Sequence, residues 1–135
     1  KQTNCGASLI EKDFREVTKE EIGSPVSVSF IDGRHDFDDV TDNLKWLEPL
    51  LADEAIVVFD DVNYAEVSKA ILVWLQRNPT TWDLVSYEKP FFYNENYISS
   101  VKERFLNNGV CVLNYHKNPL AQYFVVNNEI QGGTL

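Results

Sequence analysis

The sequence predicts an α/β domain: a mostly parallel sheet with helices on both faces and an antiparallel strand pair at the C-terminus. Three observations carry this. Val26–Ile31 (VSVSFI) and residues 55–59 (AIVVF) are apolar runs rich in β-branched residues, and each leads directly into an aspartate. Each is followed by an amphipathic helical pattern, and the tail is richer in strand patterns. Continuous apolar strands alternating with amphipathic helices are the mark of strands covered on both sides.

The elements follow in order. Residues 7–11 (ASLIE) read as a short strand. After Val26–Ile31 and the turn at Asp32-Gly33, Val40, Leu44, Leu47 and Leu51 fall at i, i+4, i+7 and i+11, one stripe of a helix. Pro49 should kink that helix or end its regular part nearby. After residues 55–59, Asn63 is the expected N-cap, with Glu66 in capping-box position. Val67, Ala70, Ile71, Trp74 and Leu75 form the next apolar face, which stops before Pro79. Trp82–Tyr87 reads as a strand and residues 96–107 as a helix. Residues 110–115 and 122–126 are expected to be the two strands of the C-terminal pair.

A chain of 135 residues is one domain and can bury a modest core. Its net charge of −9 would repel a phosphate backbone, and there is no Lys/Arg run, which argues against nonspecific nucleic-acid binding, so no nucleic-acid partner is expected. No apolar run approaches the ~20 residues that span a bilayer, so no membrane partner is expected. Cys5 and Cys111 lack metal-ligand spacing and read as reduced thiols in a cytoplasmic protein. The chain starts at Lys1 and has no Met, as expected of an excised or processed fragment or, by chance, of a short chain.

In a parallel sheet, ligands sit at the carboxyl ends of the strands. That rule singles out Asp13, Asp32 and the pair Asp60-Asp61. If the strands at 26–31 and 55–59 are neighbours, Asp32, Asp60 and Asp61 converge into hard oxygen ligands of the kind Mg²⁺ takes. The competing reading is that these aspartates only cap the turns and helices that follow them.

Three segments in this order narrow the choice: Phe30-Ile31-Asp32-Gly33-Arg34-His35, then residues 43–51 (NLKWLEPLL), then residues 56–61 (IVVFDD). Together they resemble class I S-adenosylmethionine-dependent methyltransferases. Within that class they resemble the small catechol- and macrocin-type O-methyltransferases. Residues 9–17 (LIEKDFREV) look like the family's third strand and its acidic exit loop, and the resemblance spans residues 7 to 75. It implies a Rossmann-like fold and S-adenosylmethionine as cofactor. Residues 1–135 would then be a partial domain, running from the third strand to the C-terminus.

The resemblance also implies roles. Asp13 would accept the adenine amino group, and Phe14 would pack on the adenine ring or simply in the core; Asp32 is carried over to the cofactor side as well. Asp32, Asp60 and Asp61 match the positions that bind a divalent cation such as Mg²⁺. His35, three residues after the first of them, matches the catechol type's general base, the alternative being a histidine bonded within its turn. His116 lacks such a context and reads as structural.

Two departures stand out. Arg34 replaces a frequent second aspartate and stays protonated, so it cannot be a base; it is expected to bind an anionic substrate group or to pair with Asp36, Asp38 or Asp39. The glycine-rich cofactor loop and the first strands are missing, so a longer parent or a second copy is expected to supply that half. Residues 88–108 form an aromatic-rich insertion, read either as a lid or as a loop packed on the core. The expected function is metal-assisted O-methylation of a small-molecule hydroxyl. The alternative is a degenerate methyltransferase-like binding or scaffold module.

Overall fold

The computed structural model describes residues 6–87, 109–118, 121–126 and 129–134. The helix expected at 96–107, the aromatic insertion and Cys5 lie outside them.

The chain enters through a 3₁₀ turn at Phe14–Glu16 and a four-residue helix, α1 (Lys19–Ile22). A capping box holds so short a helix together: the Thr18 hydroxyl accepts from the Glu21 N–H, and Glu21 accepts from the Thr18 N–H. Gly23 ends it at φ 88°, a left-handed conformation that costs glycine little.

The sheet begins with β1 (Val26–Ile31). Helix α2 (Phe37–Leu47) follows, capped by Asp36, whose carboxylate accepts from the Asp39 N–H at 2.8 Å. As Pro49 predicts, the regular helix stops there: Glu48–Leu50 is a 3₁₀ turn. Leu51 therefore leaves the helical stripe and opens β2 (Leu51–Phe59), which is longer than expected. Helix α3 (Ala65–Arg77) and β3 (Trp82–Tyr87) follow, then β4 (Cys111–His116). The N-cap of α3 is Tyr64 rather than Asn63. A turn in which the Tyr64 N–H donates to the Asp61 carbonyl at 3.0 Å moves the helix start one residue on.

Strand order in the sheet is β1-β2-β4-β3. β1 and β2 are parallel, and β4 is antiparallel to both β2 and β3. Three of the four strands thus run one way, but β4 is inserted against the grain, so only the β1–β2 ladder is parallel and the sheet is mixed rather than mostly parallel. A C-terminal antiparallel pair also exists, but its members are β5 (Ala121–Val126) and β6 (Glu129–Thr134). The segments 110–115 and 122–126 do not pair with each other. β4 has two long partners in the main sheet, and β5 finds its neighbour two residues further along the chain.

A full strand at residues 7–11 is not formed; the segment holds only an isolated bridge at Ser8. A strand needs a continuous ladder, and β1 is the outer strand of the described sheet on that side.

The core lies on one face. Ala55, Val57 and Phe59 of β2 and Cys111, Leu113 and Tyr115 of β4 point the same way. They meet Val40, Leu44 and Leu47 of α2 and Val67, Ala70 and Ile71 of α3. Each Val, Leu, Ile or Phe among them contributes roughly 1.5–3 kcal/mol on burial. On the opposite face Val28 and Phe30 are 67% and 61% exposed, and Ile56 is exposed as well. Helices on both faces are therefore not what the described residues show. Both long helices share one face, because β1, β2 and β3 succeed one another in a single direction across the sheet and connections of one hand return on one side.

Burial pushes the Cys111 thiol up to about 12. It should stay unmodified by iodoacetamide at pH 8 in the native protein and react once denaturant is added, as read by mass spectrometry of its peptide. Modification of the native state at the rate of a free thiol would mean that β4 opens. The imidazole of His116 lies 3.3 Å from Asp83 and 3.9 Å from Glu54, joining three adjacent strands, in keeping with a structural role. Among the described residues no helix is long and apolar enough to cross a membrane.

Candidate functional site

The parallel ladder builds the site. Beyond the last residues of β1 and β2, the Asp60 N–H still donates to the Ile31 carbonyl at 3.0 Å, one further rung. That rung sets Asp32, the next residue on β1, beside Asp60. Asp61 then turns the chain at φ 57°, a left-handed conformation uncommon outside glycine but tolerated by aspartate. Its N–H donates to the Asp60 carboxylate at 2.8 Å, and the Val62 N–H donates to the Gly109 carbonyl at 3.1 Å. The turn is thus fastened to its own side chain and to the entry of β4.

Asp32, Asp60 and Asp61 each offer a carboxylate oxygen, and these oxygens lie within 4.8 Å of one another. Asp32 is exposed, Asp60 half-buried and Asp61 buried, so the cluster opens to solvent on one side. His35 joins it, with Nε2 2.8 Å from Asp61 Oδ2 and its ring stacked on Tyr64 at 4.2 Å between centroids. Arg34 is 80% exposed and pairs with Asp36 at 3.2 Å, one of the two fates expected for it.

A second group lies across β1. A cavity of about 550 Å³ is lined by Asp13, Phe14, Phe30, Asp32 and Trp46, so the three residues expected at the cofactor share one hollow. Arg15 controls this wall. Its backbone N–H (2.9 Å) and guanidinium (3.3 Å) both donate to Asp13, and together they hold that carboxyl below its ordinary value. The same guanidinium reaches Asp39 at 2.6 Å and Asp42 at 3.3 Å on α2. These bonds, Asp39 foremost, raise its own affinity for the proton. It also lies over the Phe14 ring, 4.3 Å from the centroid, while Trp46 meets that ring edge-on. Trp46 anchors the loop further by donating from Nε1 to the Val17 carbonyl at 3.1 Å.

Sequence reasoning missed Arg15, Asp39, Trp46 and Tyr64. Asp39 had one faint signal, a charge directly beside the apolar stripe that begins at Val40. Arg15 had none for its reach to α2, since Asp39 and Asp42 lie 24 and 27 residues away.

The fold and the site together define an α/β domain whose acidic cluster lies where neighbouring strands end. Residues 3–62 match the family model described as a methyltransferase domain. The match covers Asp13, Phe14, Asp32, His35, Asp60 and Asp61, and it supports a methyltransferase domain in this part of the chain. No curated protein and no solved structure matches the chain.

Proposed function

We propose that this chain takes part in the transfer of a methyl group from S-adenosylmethionine to a hydroxyl of a small molecule, assisted by a divalent cation. The convergence of Asp32, Asp60 and Asp61 on one point, with His35 against Asp61, carries the reading. The donor set fits a hard cation that takes few protein carboxylates and keeps its other positions for water and substrate. The cavity at Asp13, Phe14 and Asp32 has the size of a small-molecule pocket and mixes aromatic with acidic walls, which fits part of a nucleoside.

When bound, S-adenosylmethionine supplies an electrophilic methyl group and the cation lowers the pKa of the acceptor hydroxyl. The chain's own residues do the rest. Asp61 Oδ2 accepts from His35 Nε2. In that tautomer Nδ1 carries the lone pair and takes the hydroxyl proton. Asp61 stabilises the imidazolium that results, and the stack on Tyr64 sets the plane of the ring.

A thermal-shift titration with S-adenosylhomocysteine, with and without Mg²⁺, tests the reading. At 100 times Kd, binding adds about 2.7 kcal/mol to stability. A saturable rise in Tm that Mg²⁺ enhances is the expected result. No shift in a protein that also fails to transfer methyl groups would sink it. One observation favours a second reading, a methyltransferase-like module that binds without catalysis: Arg15 already occupies the Asp13 carboxylate and one face of Phe14. Binding of S-adenosylhomocysteine without turnover on any hydroxyl substrate would decide for it.

A further inference from the structure

Arg15 pairs with three carboxylates, those of Asp13, Asp39 and Asp42. Asp13, Phe14, Arg15 and Asp39 all line the same hollow. Asp13 stands at the head of a three-residue 3₁₀ turn that buries none of its residues, so packing does little to fix the direction of its carboxylate. Asp39 differs. Its side chain is 8% exposed, and it belongs to α2, which is anchored in the core through Val40, Leu44 and Leu47. Arg15 Nη2 lies 2.6 Å from Asp39, while Nη1 lies 3.3 Å from both oxygens of Asp13. The guanidinium is planar and stiff, so it carries the position of the rigid helix across to the turn.

A carboxylate has about four acceptor positions. At Asp13 three bonds are made, all from Arg15: Oδ1 accepts from its backbone N–H at 2.9 Å and from Nη1, and Oδ2 accepts from Nη1. About one position is left, on Oδ2. The Arg15 backbone N–H, foremost, holds the carboxyl below its ordinary value and so keeps it in the form that can only accept. A ligand facing Asp13 must therefore bring a donor. A carbonyl oxygen in the same place would meet a negative charge.

We propose that Arg15 is a positioning residue: by fixing Asp13 against α2, it makes the hollow select a 6-amino purine nucleoside over its 6-oxo counterpart. The proposal rests on the hollow holding part of a nucleoside, as in the methyl transfer proposed above. Arg15 acts through Asp13, whose remaining acceptor position takes the exocyclic amino group. A site built to bond a particular N–H rejects an analogue lacking it far more strongly than an apolar pocket rejects a change of size. Lysine does not replace Arg15, because one ammonium on a flexible stem does not bridge two carboxylates in a fixed geometry.

The test is isothermal titration calorimetry of the protein with S-adenosylhomocysteine and with S-inosylhomocysteine, its 6-oxo analogue. Wild type is expected to prefer the amino compound by at least about tenfold. Arg15→Ala should bring that ratio below about threefold and weaken S-adenosylhomocysteine roughly tenfold. Arg15→Lys should lose the preference too; it keeps a cation beside Asp39 and so answers the question should Arg15→Ala not fold. A merely structural arginine would weaken both compounds alike and leave their ratio intact, which overturns the inference. A ratio that Arg15→Lys preserves also overturns it, since charge alone would then suffice. In both of these cases wild type still binds S-adenosylhomocysteine, so the nucleoside reading of the hollow stands and only the role of Arg15 falls. Wild type that binds neither compound sinks the nucleoside reading and this inference with it.

Discussion

Asp61→Asn is expected to lower methyl transfer by on the order of 10²–10³-fold, the usual cost of losing one well-placed electrostatic group in an active site. The substitution keeps the shape of the side chain and its tolerance of the left-handed φ of 57°, so the turn should survive. What disappears is one charge of the acidic cluster and the charged partner of His35. Stability of the cation-free protein should not fall, because three neighbouring carboxylates repel one another. Mn²⁺ titration followed by electron paramagnetic resonance gives a readout independent of turnover. Asp61→Asn and Asp32→Asn should both weaken Mn²⁺ binding at least tenfold. Wild-type affinity in both variants would remove the cation from the mechanism, whatever the activity shows.

Phe59→Ala is expected to destabilise the protein by about 3–5 kcal/mol, the usual cost of deleting a fully buried phenylalanine. Phe59 is 1% exposed and sits in register with Ile31 on one side and Cys111 on the other. Total stabilities are about 5–15 kcal/mol, so a large part of the margin rests on this ring. The matched control is Phe30→Ala on the opposite, exposed face of the sheet, which should change stability by no more than about 0.5 kcal/mol. Urea denaturation of the two variants measures the asymmetry of the faces directly. Equal losses would mean that the face carrying Phe30 is covered in solution.

Much of the fold was legible because each element announces itself over a few residues. The two strands ending in aspartates, the stop at Pro49, the helix ending before Pro79 and the strand Trp82–Tyr87 all depend on local pattern. Where the reading failed, the missing information was a partner. Residues 7–11 have a strand's composition, but a strand is made by its neighbour. Residues 110–115 and 122–126 are both strands, yet pattern alone does not say that one enters the main sheet and the other pairs with Glu129–Thr134. Asn63 lost the cap to Tyr64 because a turn at Asp61 moved the frame by one residue.

The sequence by itself determined the class of the domain, the succession of elements from Val26 to Tyr87 and which carboxylates end its strands. These follow from periodicity and from the rule that ligands meet the carboxyl ends of parallel strands. Only the tertiary structure decided that Asp32, Asp60 and Asp61 share one point, that His35 leans on Asp61, and that Arg15 spans from Asp13 to Asp39. It also decided that Trp74, alone of the three tryptophans, has a buried N–H with no acceptor among the described residues. The reason is the same throughout: hydrogen bonds and ion pairs act over about 3 Å in space, and sequence separations of 24 to 34 residues carry no trace of them.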